Sequence, residues 1–193
     1  MKGFLFLLSA VVVAAPVSAK TYAIDPMHSA VGFTVRHLGV SKVHGAFTKV
    51  SGTVEYEEGK PKSWKAVVEL DPASIDTHVD ARDKHLRSKD FFDVERCPKM
   101  TFKSTKVEVG EDGKAGKLYG ELTMRCVTKP VVLGFEVGGE AADPKGGVHF
   151  GASATGKVNR RDWGVGESFA AKMVGDDVDL SLDVEAVPAA EKK

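Results

Sequence analysis

Motifs that would advertise an enzyme are scarce in this chain of 193 residues. It has two cysteines, Cys97 and Cys126, and no CxxC pair, which leaves no room for dithiol redox chemistry or a cysteine-rich zinc module. Its six histidines include no HExxH, no His-x-His pair and no cysteine at a zinc-ligand spacing. The serines lack a GxSxG elbow, and Gly138-Gly139 and Gly146-Gly147 do not open a helix after a strand, so neither a hydrolase nucleophile nor a phosphate cradle stands out. Charge of one sign is missing too. Lys plus Arg and Asp plus Glu both number 27, which provides neither the basic stripe of a nucleic-acid binder nor a broad pull toward an anionic membrane.

A hydrophobic stretch long enough to span a bilayer is also absent. The apolar run Phe4 to Val13 falls short of the roughly 20 residues a transmembrane helix needs. With Lys2 before it and Val17-Ser18-Ala19 after it, it reads as an export signal over residues 1–19. Residues 20–193 then form one domain, expected in the periplasm or secreted.

What remains is period-two alternation. Val31, Phe33 and Val35 alternate with Gly32, Thr34 and Arg36; Val178, Leu180, Leu182 and Val184 alternate with polar neighbours. Eight strands are predicted near 28–38, 43–57, 64–71, 99–109, 117–126, 130–138, 147–158 and 177–187, with Pro130 separating the fifth from the sixth. Turn chemistry lies between them, at Glu58-Gly59-Lys60-Pro61, Glu111-Asp112-Gly113 and Asp143-Pro144-Lys145-Gly146-Gly147. So many long strands with short connections leave a sandwich or a closed barrel. The alternation stops from Asp71 to Pro98, where Asp71-Pro72-Ala73-Ser74 begins a turn or short helix and Asp80 is expected to cap a second helix. That helix, laid over one barrel end, would act as a lid.

Cys97 and Cys126 flank a hairpin centred near Glu111-Asp112, so antiparallel pairing would set them nearly opposite one another. In an oxidising compartment such a pair usually closes. Two free thiols are the alternative.

The interruption carries Ser74-Ile75-Asp76-Thr77, Arg82-Asp83-Lys84-His85-Leu86 and Asp90-Phe91-Phe92. Upstream lies HSAVGFTVRHLGVSKVHGAF, and downstream lie Thr101-Phe102-Lys103-Ser104-Thr105 and Gly120-Glu121-Leu122-Thr123. From about Tyr22 to Val187 this ordered set resembles the YceI family of bacterial secreted lipocalin-like barrels. The resemblance selects an all-β, eight-stranded antiparallel lipocalin-like barrel with a helical insertion around residues 72–92. It implies a non-enzymatic carrier of a long-chain polyisoprenoid or related amphiphilic lipid, for transport, storage or stress protection, without cofactor or metal. Arg160-Arg161-Asp162 before Trp163-Gly164 resembles the family's Arg-Asp-aromatic-Gly corner and is read as structural.

Such a carrier needs no charged anchor. Each CH₂ buried contributes about 0.8 kcal/mol, so about fifteen contribute on the order of 12 kcal/mol before ordering costs. The tunnel lining is expected to include Phe33, Val35, Phe47, Phe91, Phe92, Phe102, Leu118, Leu122, Met124, Phe135, Phe150 and Trp163, with His37 as a polar headgroup contact in the mouth. Ordinary core packing would use the same side chains. A metal-dependent hydrolase built on His78, His85 and nearby carboxylates is the catalytic alternative, and a homodimer or a scaffold for a partner protein is left open.

Overall fold

Alternating strands that each bury one face must pair on both edges or leave an edge exposed, and this chain resolves the problem by closing its sheet on itself. The computed structural model describes residues 19–190, so residues 1–18 of the expected leader lie outside the described residues. The strands are β1 (Lys20–Ile24), β2 (Ala30–His37), β3 (Ser41–Phe47), β4 (Val50–Tyr56), β5 (Lys65–Leu70), β6 (Ile75–Asp76), β7 (Met100–Val109), β8 (Ala115–Met124), β9 (Val127–Ala142), β10 (Val148–Asn159) and β11 (Val174–Pro188). All pairings are antiparallel. The order runs β1-β4-β5-β7-β8-β9-β10-β11-β2-β3-β6, and β1 returns to pair with β11.

The wall nevertheless has eight positions. β1 and β2 lie in succession along one edge of β11, Ile24 facing Ala186 and Ala30 facing Asp183, so they act as one kinked strand. β3 and β4 are likewise two halves of one strand, pairing with β2 and β1 in turn. The predicted strand 43–57 is thus broken at Thr48-Lys49, and the prediction omitted the β1 half of the first strand. Five residues are too few to show alternation beside a leader. Pro130 does not separate two strands: β9 runs through it, and the turn is Arg125-Cys126, both in left-handed conformation with φ of 49° and 59°. Pro130 faces Glu121 and lies beyond Gly134–Thr155, where the β9–β10 pairing ends, so its missing N–H interrupts no ladder there.

The kink between β1 and β2 is fastened to β11 by a polar cluster. Asp25 N–H and Ser29 Oγ both donate to the Glu185 carbonyl, at 2.9 and 3.1 Å. On the outer side His28 Nδ1 lies 2.8 Å from Asp25, while His149 bridges Glu185 at 2.8 Å and Asp143 at 3.4 Å. Asp25, His28 and Glu185 are the one group of three metal-capable side chains brought together among the described residues, and their hydrogen bonds account for them as a brace.

The insertion begins with a short helical turn, Pro72–Ser74, whose N-cap Asp71 accepts the Ala73 N–H. Helix α1 (Asp80–Arg87) follows, with Val79 rather than Asp80 in the capping position. Asp83, not Asp80, does the polar work: buried, it accepts the Thr77 N–H at 3.0 Å and the Thr77 hydroxyl. Arg82 donates to Thr77 and Arg87 to Ala73 and Ile75, tying the helix to β6. The insertion ends at Cys97, which is disulfide-bonded to Cys126 in the β8–β9 turn with a Cα–Cα distance of 5.5 Å.

Two measurements follow from these fastenings. The bridge spans a sequence separation of 29, so replacing both cysteines by serine is expected to lower the unfolding free energy by about 3–4 kcal/mol in urea denaturation. A loss below about 1 kcal/mol would mean the insertion is held without it. For the brace, His28 and His149 are each held above the ordinary imidazole value of 6.5, by hydrogen bonds to Asp25 and Glu185 respectively. Their stabilisation is complete below the unfolded-state value and is lost as pH rises through the raised folded values. Between about pH 6 and pH 8.5 the urea midpoint should therefore fall more steeply for the native chain than for His28→Asn/His149→Asn. Asp25 and Asp143 are held below the usual carboxylate range, by His28 and by the Gly147 N–H respectively, so their contributions fade only toward acid, outside that window. Equal slopes in the two proteins would remove the brace from the account.

Candidate functional site

Inward side chains of an eight-stranded barrel can either fill its centre or line it. Here they line it. Two apolar chambers, of about 140 and about 100 Å³, lie inside the wall. Both are lined by Val68, Phe102, Leu133 and Leu182, which form a waist where the chambers meet. A water-sized group needs roughly 10–15 Å³, so the two together have room for on the order of fifteen to twenty such groups.

Cross-strand glycines help keep the centre open. Phe33 pairs with Gly45 across β2 and β3, and a Cβ at Gly45 would come within 2.4 Å of the Phe33 ring. Phe102 lies over Gly120 on the neighbouring strand, where a Cβ would again fall within 2.4 Å of its ring. Each ring covers wall that a larger neighbour would have occupied, and is spread along the barrel instead of across it.

The two ends differ. The lower chamber is closed by aromatic side chains: Tyr56 lies 4.9 Å from Trp64 and 4.8 Å from Phe150, and Tyr22 lies 5.3 Å from Phe150, between ring centres. Trp64 Nε1 donates to the Glu57 carbonyl, and Tyr22 donates to Glu140 at 2.6 Å. Burial and the Glu140 hydrogen bond push the Tyr22 phenol well above its ordinary range, so it remains a neutral part of the plug.

The upper chamber is covered by α1, by Phe91-Phe92 and by the segment Val165 to Val174. Phe91 stacks on Phe169 at 5.0 Å, and His85 packs edge-on against both. Arg160, 3% exposed, holds the segment in place. Its guanidinium donates to the carbonyls of Val165, Gly166, Phe169, Val174 and Gly175 and to Asp176, while Arg161 adds bonds to Phe169 and Asp176. The corner Arg160 to Trp163 is structural, as read from the sequence.

Of the expected lining residues, Phe33, Val35, Phe47, Phe91, Phe92, Phe102, Leu122 and Met124 face the upper chamber, and Phe102, Leu118, Phe135 and Phe150 the lower. Trp163 lies in the core without lining either chamber, its indole N–H donating to the Leu122 carbonyl at 3.1 Å. His37 sits exposed at the rim two residues beyond Val35 and lines neither chamber, so it is outside the mouth that the alternation suggested. The waist residues Val68, Leu133 and Leu182 are lining that the sequence reading counts only as strand; their period-two pattern was the available signal. His78 and His85 do not converge. His78 is exposed beside Asp76 at 3.5 Å and His85 beside Asp90 at 3.3 Å, so the ligand set of the hydrolase alternative is not formed.

A closed antiparallel wall around an apolar, unfilled centre defines a lipocalin-like barrel. Residues 22–186 match the YceI-like domain, and the chain belongs to that family. It is 39% identical over 171 residues to a UPF0312 protein of Photorhabdus laumondii, covering 88% of this chain and 87% of the relative. Among solved structures it is similar to the Campylobacter jejuni YceI protein, at 34% identity and a TM-score of 0.73, covering 80% of this chain and 90% of that one. A polyisoprenoid binding domain from Saccharophagus degradans, implicated in plant cell wall breakdown, shares the fold at 13% identity and a TM-score of 0.65, over 87% and 98% of the two chains.

Removing the Arg160 guanidinium would take a donor from five backbone carbonyls and from Asp176, leaving Phe169 and Asp176 to Arg161 and Gly166 to the Phe169 N–H. Arg160→Met is expected to cost about 3–5 kcal/mol in urea unfolding and to speed amide exchange over residues 165–174. Unchanged exchange there would show that the cover is held by its aromatic contacts alone.

Proposed function

We propose that this protein is an exported carrier, periplasmic or secreted, that holds one long-chain polyisoprenoid or related amphiphilic lipid lengthwise in the barrel. The observation that carries the reading is the two-chamber apolar hollow, plugged by aromatics at one end and roofed by a separate segment at the other. Its shape suits a slim chain better than a compact ligand. About fifteen buried CH₂ groups supply on the order of 12 kcal/mol gross, enough for retention without any charged contact. The Saccharophagus domain, by its description, binds a polyisoprenoid, which is consistent with this occupant. The lining residues above are the proposed ligand contacts; catalysis has no role in the reading.

Protein purified without detergent is expected to release an amphiphile into organic solvent and to show the same mass as a one-to-one adduct in native mass spectrometry. Leu182→Trp, which places an indole at the waist, should reduce that adduct at least tenfold while changing stability by about 1–3 kcal/mol. Repeated absence of any amphiphile from the native protein would overturn the carrier reading. An undiminished adduct in the variant would move the ligand out of the waist.

A further inference from the structure

The rim above the upper chamber is made by the β2–β3 hairpin tip and the turn Ala170 to Met173. Leu38 N–H donates to the Met173 carbonyl at 3.0 Å, which joins the two, and Val35 and Val174, close behind them in the chain, line the chamber. Three apolar side chains at this rim point to water: Leu38 is 51% exposed, Val40 83% and Met173 49%. Leu38 and Gly39 both have positive φ, 52° and 74°. Hairpin turns of this kind favour Asn-Gly, and a leucine in the left-handed region is an outlier that the turn itself does not ask for. Arg36, Lys42 and Lys172 flank the trio in the chain, all exposed, and no carboxylate lies within hydrogen-bond or ion-pair reach of them among the described residues. Asp176, Asp177 and Asp179 share an outer groove with Arg36 and Lys42; Asp176 is engaged by Arg160 and Arg161 and Asp179 by Lys157, and none of the three carboxylates is within ion-pair distance of Arg36 or Lys42. Neither rim segment, 36–42 or 170–174, contains an acidic residue.

Exposed apolar side chains flanked in the chain by cations without ion-pair partners match the outer layer of an anionic bilayer, apolar groups entering the acyl boundary and cations resting at the phosphates. We infer that this rim docks on an anionic phospholipid surface, setting the covered end of the hollow against the membrane. The purpose of the surface rests on the carrier reading, whereas its binding to vesicles does not.

The test is co-sedimentation of the full mature chain with vesicles of phosphatidylcholine alone and of phosphatidylcholine mixed with phosphatidylglycerol. The protein should partition to the mixed vesicles preferentially, and less as salt is raised. Each of Arg36→Gln, Lys42→Gln and Lys172→Gln should weaken that partition about fivefold, and the three together on the order of a hundredfold. Leu38→Ser/Val40→Ser/Met173→Ser should weaken it at least tenfold, with the urea midpoint confirming that the fold is kept, while Lys145→Gln at the far hairpin should leave it unchanged. Absence of binding to the mixed vesicles, equal binding to both vesicle types, or rim variants that bind like the native chain would overturn the proposal. A protein that carries lipid but ignores vesicles refutes the docking surface alone. One that binds vesicles through this rim but never holds a lipid refutes the carrier alone.

Discussion

The molecule depends on a packing constraint: its inward side chains must shield the sheet from water without meeting in the middle. Eight strands give an interior that ordinary apolar residues can fill, so a hollow survives only if bulky groups are spread along the wall. The pairs Phe33 over Gly45 and Phe102 over Gly120 are the visible means, each ring using space that its neighbour's missing side chain leaves free. An empty apolar void of this combined size would cost several kcal/mol, by the penalty per unit of cavity volume seen in protein cores. The same void filled by an alkyl chain would remove that cost, so a bound chain of the proposed kind would stabilise the barrel.

The remaining polar investment goes to the ends and seams. Arg160 organises the roof through backbone carbonyls, Asp83 and Arg82 set α1 against Thr77, and Ser29 with Asp25 fastens the β1–β2 kink to Glu185. Aromatic packing closes the lower end, steadied by the Tyr22 and Trp64 hydrogen bonds to Glu140 and Glu57. One end is therefore a plug continuous with the wall, and the other is a separate segment fastened by the Arg160 guanidinium, the Asp83 and Arg82 bonds to Thr77, and a disulfide.

How much of this was legible varied with the kind of signal. Alternation at Val31-Phe33-Val35 and Val178-Leu180-Leu182-Val184 located wall strands because inside and outside differ residue by residue, and it also selected most of the lining. It failed where that contrast ends. β1 is too short to alternate convincingly, and His37 keeps the phase of Val35 although the wall has run out beneath it. Pro130 looked like a boundary because the rule against proline in strands holds for paired edges, and this edge is unpaired at that position. The Arg160 network was hidden for another reason: apart from Asp176, its acceptors are backbone carbonyls from Val165 to Gly175, which leave no mark in side-chain chemistry. Period two likewise cannot distinguish a lined centre from a filled one, since Phe102 serves either; Gly120 beneath its ring does.

A lipid held this way faces a release problem that shapes the reading of the rim. Returning about fifteen CH₂ groups to water forfeits on the order of 12 kcal/mol, which slows or disfavours escape by eight to nine powers of ten relative to a ligand without that burial. Tight retention and exchange through water are therefore incompatible. Exchange becomes accessible when the chain passes directly from one apolar phase to another, because the transfer free energy then nearly cancels. That requires the end roofed by a separate segment, and not the plugged one, to carry the groups that enter a membrane. Leu38, Val40 and Met173 stand at the roofed end, beside Val35 and Val174 of the upper chamber, and the aromatic plug of Tyr56, Trp64 and Phe150 stands at the other. On the carrier reading, the polarity of the barrel follows from the energetics of the proposed cargo.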